Sequence, residues 1–153
     1  MHGYRVAAGL AAISMMMAAP VQAAPGMSEA ESLRKLDVML MVTGLRCRAT
    51  PDNFMNDYSR FVTRHRSTLG QANRELKAEL ARRYGASGAT NKLDQISVHM
   101  ANSYGRGHPW LSCAQLKEVT QNLNQVVGRA TLVEAADQVL AAKPAPHFAY
   151  ARP

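Results

Sequence analysis

Apolar residues recur every three or four positions along most of the chain, which is the period of helices, and no stretch alternates apolar and polar residues as a strand would. Ser28-Glu29-Ala30-Glu31 has the S-x-x-E form of a capping box, in which the serine hydroxyl accepts from the third backbone N–H and the glutamate returns to the cap. A first helix is predicted from there. Leu33, Leu36, Leu40 and Cys47 share one stripe, yet Val38, Met39, Met41, Val42 and Leu45 fill the other faces, so the helix is apolar nearly all round and belongs at the centre of the fold. Gly44 within it costs about 1 kcal/mol against alanine, a penalty that points to a neighbour in close approach.

Thr50-Pro51-Asp52 reads as the next start signal, with threonine as cap, proline at the first helical position and an acid in the first turn. Phe54, Tyr58, Phe61, His65, Leu69, Ala72, Leu76 and Leu80 then hold one phase, which predicts a long or gently bent helix continuous through Gly70 and ending near Tyr84. Gly85-Ala86-Ser87-Gly88 is a turn, and Leu93, Ile96, Met100 and Tyr104 mark a third helix capped by Thr90 and ended by Gly105-Arg106-Gly107-His108-Pro109. Ser112-Cys113-Ala114-Gln115 is a second capping box, opening a helix through Leu116, Val119, Leu123 and Val126. Gly128 separates it from a short helix opened by a third box, Thr131 to Glu134, and carried by Val133, Ala136 and Leu140. The expected fold is all-α, a compact bundle of four or five helices in a single domain spanning residues 24–142. Residues 143–153 carry two spaced prolines and no periodicity, the composition of a flexible tail.

The N-terminal 23 residues fall outside that pattern. Arg5 precedes an apolar run from Val6 to Ala19, too short to span a bilayer, and Val21-Gln22-Ala23 has the small-x-small form of a signal-peptidase site. A secretory signal peptide cleaved after Ala23 is expected, and with it a periplasmic or secreted protein without a transmembrane helix. Composition changes accordingly. The full chain has 153 residues and a formal charge of +7; cleavage removes one basic residue and four of the nine methionines, leaving 130 residues at +6. At 19% charged and 47% hydrophobic residues the chain is neither disordered nor a polybasic nucleic-acid tail, and export makes nucleic acid an unsuitable partner.

Export also decides the reading of the two cysteines, Cys47 at the end of the first helix and Cys113 at the start of the fourth. In an oxidising compartment an even pair forms a bridge. The alternative is a Cys113 thiolate nucleophile activated by its helix N-terminus and by His108. Among the histidines none pair at i, i+4 and H-E-x-x-H is absent, so no metal site is expected; no phosphate or dinucleotide loop occurs, so no cofactor is expected either. His65 sits mid-stripe and reads as a core histidine hydrogen-bonded to a neighbouring helix, with a pH switch or ligand contact as the functional alternative. His108 in the GHPW loop reads as exposed, with a pH switch or ligand contact as its functional alternative. Asp37 is the one acid inside the first helix and needs a partner if buried. Arg60, Arg64, Arg66, Arg74 and Lys77 lie opposite the long apolar stripe, either as an ordinary solvated face or as a surface for an anionic envelope polymer. Trp110, the only tryptophan, reads as a lid on the core beside the cysteines, with a partner-contacting indole as the alternative.

The segments LDVMLMVTGLRCR, NDYSRF and SVHMANSYGRGHPWLSC resemble a family of small exported all-helical alphaproteobacterial proteins of uncharacterised function, over about Leu33 to Leu123. The resemblance implies packing or bridge positions at Cys47, Arg48, Tyr58, Phe61, Tyr104 and Cys113, and supplies no catalytic residues. Such sequences sometimes carry the name S-adenosylhomocysteine hydrolase; this chain is too short for that enzyme and has no dinucleotide fingerprint. The functional expectation is a non-enzymatic interaction module binding an envelope protein or an anionic envelope component. An architectural similarity to periplasmic acid-stress chaperones gives a second expectation, with His65 or Asp37 as trigger, and a small enzyme with an unrecognised site is the third.

Overall fold

A computed structural model describes residues 27–141; the expected signal peptide, residues 1–23, and the expected tail, residues 143–153, lie outside the described residues. Five helices follow in order, α1 (Glu29–Cys47), α2 (Met55–Arg64), α3 (Arg66–Tyr104), α4 (Cys113–Leu123) and α5 (Arg129–Ala141), with no strand among the described residues. The expected all-α bundle is the architecture observed. Leu33, Leu36, Val38, Met39, Leu40 and Cys47 of α1 are all buried, and α1 packs against each of the other four helices. An all-round apolar helix has this one solution in water, to be sleeved on every side. One core cluster joins Leu33 and Met39 of α1 with Phe61, Leu76, Leu116, Leu132 and other residues of every helix.

The ends of α1 are closed from outside the helix. The Ser28 hydroxyl accepts from Glu31 N at 3.2 Å and donates to Glu79 Oε2 of α3 at 3.2 Å, so one half of the capping box forms and the other contact goes to a neighbouring helix. At the far end Thr50 Oγ1 donates to the Cys47 carbonyl at 2.7 Å. That bond corrects the sequence expectation: Thr50 serves the carbonyls that α1 leaves unpaired, and α2 starts later, at Met55, where Asn53 Oδ1 accepts from the Met55 N–H at 3.0 Å. Gly44 admits the crossing of α2, since a Cβ there would stand 2.8 Å from Met55 Sδ and 3.3 Å from the Phe54 ring.

The long stripe is interrupted at His65, not bent at Gly70. His65 leaves helical geometry (φ −98°, ψ 13°) while its ring reaches α4, and α3 then runs through Gly70 without a break. At Gly85 (φ 74°, ψ 169°) α3 folds into two limbs, in backbone space that residues with a Cβ rarely occupy. Glu79 on the first limb and Ser97 on the second both meet the beginning of α1, through Ser28 and Arg34, yet a straight helix would hold them about 27 Å apart. The second limb runs alongside α1 in the same direction, Arg34 meeting Ser97 and Arg46 lying against Gly107 beyond the limb's end. The turn read at Gly85 is therefore present, but Thr90 lies inside the second limb and caps nothing.

α4 opens with the complete capping box, Ser112 Oγ accepting from Gln115 N at 3.3 Å and Gln115 Oε1 accepting from Ser112 N at 2.9 Å. It ends at Leu123, so Val126 lies in the connection. Gly128 (φ 89°) precedes α5, which starts at Arg129; Thr131 is already helical and its box does not form. Cys47 and Cys113 are bridged, with Cα atoms 5.7 Å apart, which joins the end of α1 to the start of α4 and removes the thiolate reading of Cys113.

The bridge links residues 66 apart in sequence. Loop-closure entropy of that length is worth about 4 kcal/mol, so replacing both cysteines with alanine should lower the unfolding free energy by roughly that amount. Equal denaturant midpoints for the two proteins would refute the staple. Gly44→Val should overpack the α1–α2 crossing and cost about 1–3 kcal/mol in the same measurement, whereas an unchanged midpoint would show the contact to be soft.

Candidate functional site

The inner stripe of α2 holds an acid. Asp57 lies three residues after Phe54 and four before Phe61, both fully buried, and is itself only 5% exposed. A carboxylate in that position needs donors, and the structure supplies them from two helices. Arg60 Nη2, one turn along, donates to Oδ1, and Gln121 Nε2 of α4 approaches Oδ2 at 3.4 Å. Asn124 Nδ2, at the cap of α4, donates to the Asp57 backbone carbonyl at 3.1 Å. His65 completes the seam, its Nε2–H donating to the Leu123 carbonyl at 2.9 Å. His65 is thus the core histidine expected from the stripe, buried and bonded to a neighbouring helix, with its ring tilted against Phe61 at 5.0 Å.

Over this seam opens a cleft of about 720 Å³, lined by Asp57, Arg60, Thr63, Arg64, Gln121 and Gln125 among others. Its groups are polar and largely planar: two guanidinium forks spaced one helical turn apart on α2 face side-chain amides from α4 and the residues after it. Ser59 and Thr63 spend their hydroxyl protons on Met55 O and Ser59 O, both at 2.9 Å, and keep acceptor capacity. Arg60 is committed to Asp57, whereas Arg64 makes no ion pair among the described residues and is the cation left for a ligand. Asn124 Oδ1 is buried without a hydrogen-bond partner. Such a set recognises groups that accept hydrogen bonds and carry negative charge.

The other sequence candidates are dispersed. Arg66, Arg74 and Lys77 are exposed, as the stripe implied, but they lie on the first limb of α3 and do not line the cleft. Asp37 is partly buried; the Tyr58 hydroxyl donates to its Oδ1 at 3.0 Å, and Arg34 Nη1 lies 3.7 Å from Oδ2. Burial raises the Asp37 carboxyl above its ordinary value, against the Tyr58 bond and the Arg34 charge. Tyr58 is pushed well above the ordinary tyrosine range, by burial first and by the adjacent carboxylate second, so it remains a donor. Two expectations are corrected. His108 is 9% exposed, not solvated, because its ring turns inward to stack on Tyr104. Trp110 is 51% exposed and so does not serve as a lid on the core. A second cleft of about 510 Å³, lined by Glu31, Lys35, Lys92, Gln95, His99 and Ser103 among others, separates α1 from the second limb of α3. Neither cleft is lined by Asp37, His65 or His108, and among the described residues no three His, Cys, Asp or Glu side chains converge as metal ligands. Among those residues no helix is long and apolar enough to cross a membrane.

Sequence reasoning passed over Asp57, Gln121 and Asn124. The signal for Asp57 was present in its phase, i+3 from Phe54 and i−4 from Phe61, with Arg60 one turn on; nothing local pointed to the α4 amides. No family model matches the chain, and no curated protein or solved structure matches it.

Because the folded-state value of Asp37 lies above 3.8, its ionised form is a cost to the fold at neutral pH that is recovered as the pH falls through that value. Asp37→Asn keeps an acceptor for Tyr58 and removes the buried charge. It should melt at a higher temperature than the parent at pH 7, with the advantage gone once the pH is below 3.8. Thermal melts across that range check the sign, and a variant less stable at pH 7 would show that the Arg34 and Tyr58 contacts outweigh burial.

Proposed function

We propose that the protein is an exported helical interaction module whose α2–α4 cleft binds the carboxylate or phosphate groups of an anionic envelope component. The observation that carries this reading is Arg64, a guanidinium with no ion pair among the described residues, at the rim of a polar cleft whose other cation already neutralises the buried Asp57. Size supports it too, since the cleft falls within the few hundred to a thousand Å³ of ordinary ligand sites. The envelope setting rests on the signal-like N-terminus, the resemblance to small exported helical proteins and the Cys47–Cys113 bridge, a bond that persists in oxidising compartments.

An acid-responsive chaperone is the second reading. One observation favours it: the partly buried Asp37 and the buried His108 are both displaced from their ordinary titration ranges. It requires client protection and a rise in apolar-dye binding between pH 7 and pH 3, neither of which an anion-binding module needs.

Polyglutamate as a carboxylate probe and polyphosphate as a phosphate probe, titrated against the disulfide-bonded protein, test the leading reading. Arg64→Gln should weaken binding by about tenfold, the value of one charge-assisted contact, and added salt should weaken it further. Lys77→Gln, outside the cleft, should change little. Equal losses for the two variants would make the interaction a diffuse surface effect, and no binding of either probe would remove the proposal. Arg60 is unsuitable for this comparison because its loss strands the buried Asp57.

A further inference from the structure

The loop between α3 and α4 is organised by one histidine. His108 follows Gly107 (φ 106°) and precedes Pro109, and its ring is turned into the protein, where it stacks on Tyr104 with centroids 5.7 Å apart. Its Nδ1 accepts two backbone hydrogen bonds, from Trp110 N at 3.2 Å and from Leu111 N at 3.1 Å. A nitrogen that accepts from two N–H groups carries no proton of its own, so the neutral ring holds its hydrogen on Nε2. Nε2 is buried toward the Val139 backbone of α5, without a partner in full hydrogen-bond geometry. The only place for a second proton is therefore Nδ1, where it would point at two donors. Charging the ring and keeping the loop are mutually exclusive.

Among the described residues no countercharge relieves this conflict. From α3 the ring meets Tyr104, and Arg106 lies in the same loop; from α1, Arg46 lies against Gly107; from α5 the neighbour is the Val139 backbone, with Asp137 the nearest acid along that helix and exposed; at the start of α4, Cys113 is in the bridge and does not titrate. The charged residues adjoining the loop, Arg46 and Arg106, are cations, and no acid among the described residues pairs with the ring. Burial lowers the His108 value below 6.5, and the Val139 backbone offsets this in part.

We infer that His108 is a proton-operated latch for the Trp110 loop: protonation at Nδ1 releases the Trp110 and Leu111 amides, expels the ring from its place against Tyr104 and re-presents the half-exposed indole. The bridge at Cys113 and the capping box at Ser112 hold α4 in place, so the change is confined to the loop between Tyr104 and Ser112. The latch is independent of the α2–α4 cleft, and it gives the exported protein a surface whose presentation depends on the acidity outside the cell's cytoplasm.

Trp110 is the only tryptophan, so its fluorescence reports on this loop alone. The disulfide-bonded protein is titrated from pH 8 to pH 4 while indole emission, quencher access and far-ultraviolet helix signal are followed. The expected result is a shift in emission and quenching with a midpoint below 6.5 and no loss of helix signal. His108→Asn retains an acceptor near the Nδ1 position without a titrating group, and it should abolish the transition, whereas His65→Gln and His99→Gln should leave it in place. A transition of unchanged midpoint in His108→Asn, a flat wild-type profile, or helix loss that coincides with the emission change would each overturn the latch. If His108→Asn does not fold, imidazole NMR of the unmodified protein decides instead. An Nε2–H tautomer at neutral pH and a His108 midpoint equal to that of the indole support the latch, and a Nδ1–H tautomer or unequal midpoints reject it.

Discussion

Everything in this fold follows from the need to cover α1. A helix apolar on nearly every face is insoluble alone, and a chain of modest length has few elements with which to enclose it. The chain manages by making one element serve twice. α3 breaks at Gly85 and returns, so that a single helical stretch presents two limbs to α1, while α2, α4 and α5 close the remaining sides. The enclosure is incomplete where Met41 and Leu45 stay exposed, on the flank near the α1–α2 crossing.

The same demand explains why polar chemistry gathers at the seam of α2 and α4. These are the two shortest helices, and short helices have the highest share of unpaired terminal groups. The carbonyls at the end of α4 cannot all be left to solvent where the helix docks on α2, and His65 satisfies one of them, at the cost of helical geometry in its own backbone. Asn124, at the same end of α4, donates in turn to the Asp57 backbone carbonyl of α2. The cleft is what remains open once those obligations are met, and Arg64, without an ion pair among the described residues, is the part not required by the fold. The disulfide fixes the opposite end of α4, so the seam and the Trp110 loop are held at two ends of one short, anchored helix.

What could be read in the sequence was what depends on local periodicity. The all-helical pattern, the centrality of α1, the close approach at Gly44, the turn at Gly85, the Ser112 box and the core role of His65 are all set within a few turns of the residues concerned, whereas the break at His65 is not. The misreadings share a cause. Thr50, Thr90 and Thr131 have the composition of caps, but a cap is a choice among competing hydrogen bonds, and Thr50 is claimed by the Cys47 carbonyl of the preceding helix. His108 and Trp110 were exchanged for a similar reason: hydrophobicity favours burying the indole, yet the loop needs an acceptor for two amides, and only the imidazole supplies one. The cleft itself needed long-range pairing of α2 with α4, more than sixty residues apart, which no local pattern encodes.

The two displaced ionisable groups act in opposite directions, and this bears on what acidification does to the molecule. Asp37 is raised, so protonating it removes a cost that the fold bears at neutral pH; His108 is lowered, so its stabilising contribution is complete above 6.5 and declines as the pH falls below it. Asp37 joins α1 to α2 through Tyr58, within the enclosing bundle, whereas His108 governs a connecting loop. Acid therefore relaxes the loop while it relieves the core, and the bridge at Cys113 anchors the helix that follows the loop. A structure arranged this way responds to pH by local rearrangement on an intact scaffold, which is the behaviour required of a binding module and the opposite of one that works by coming apart.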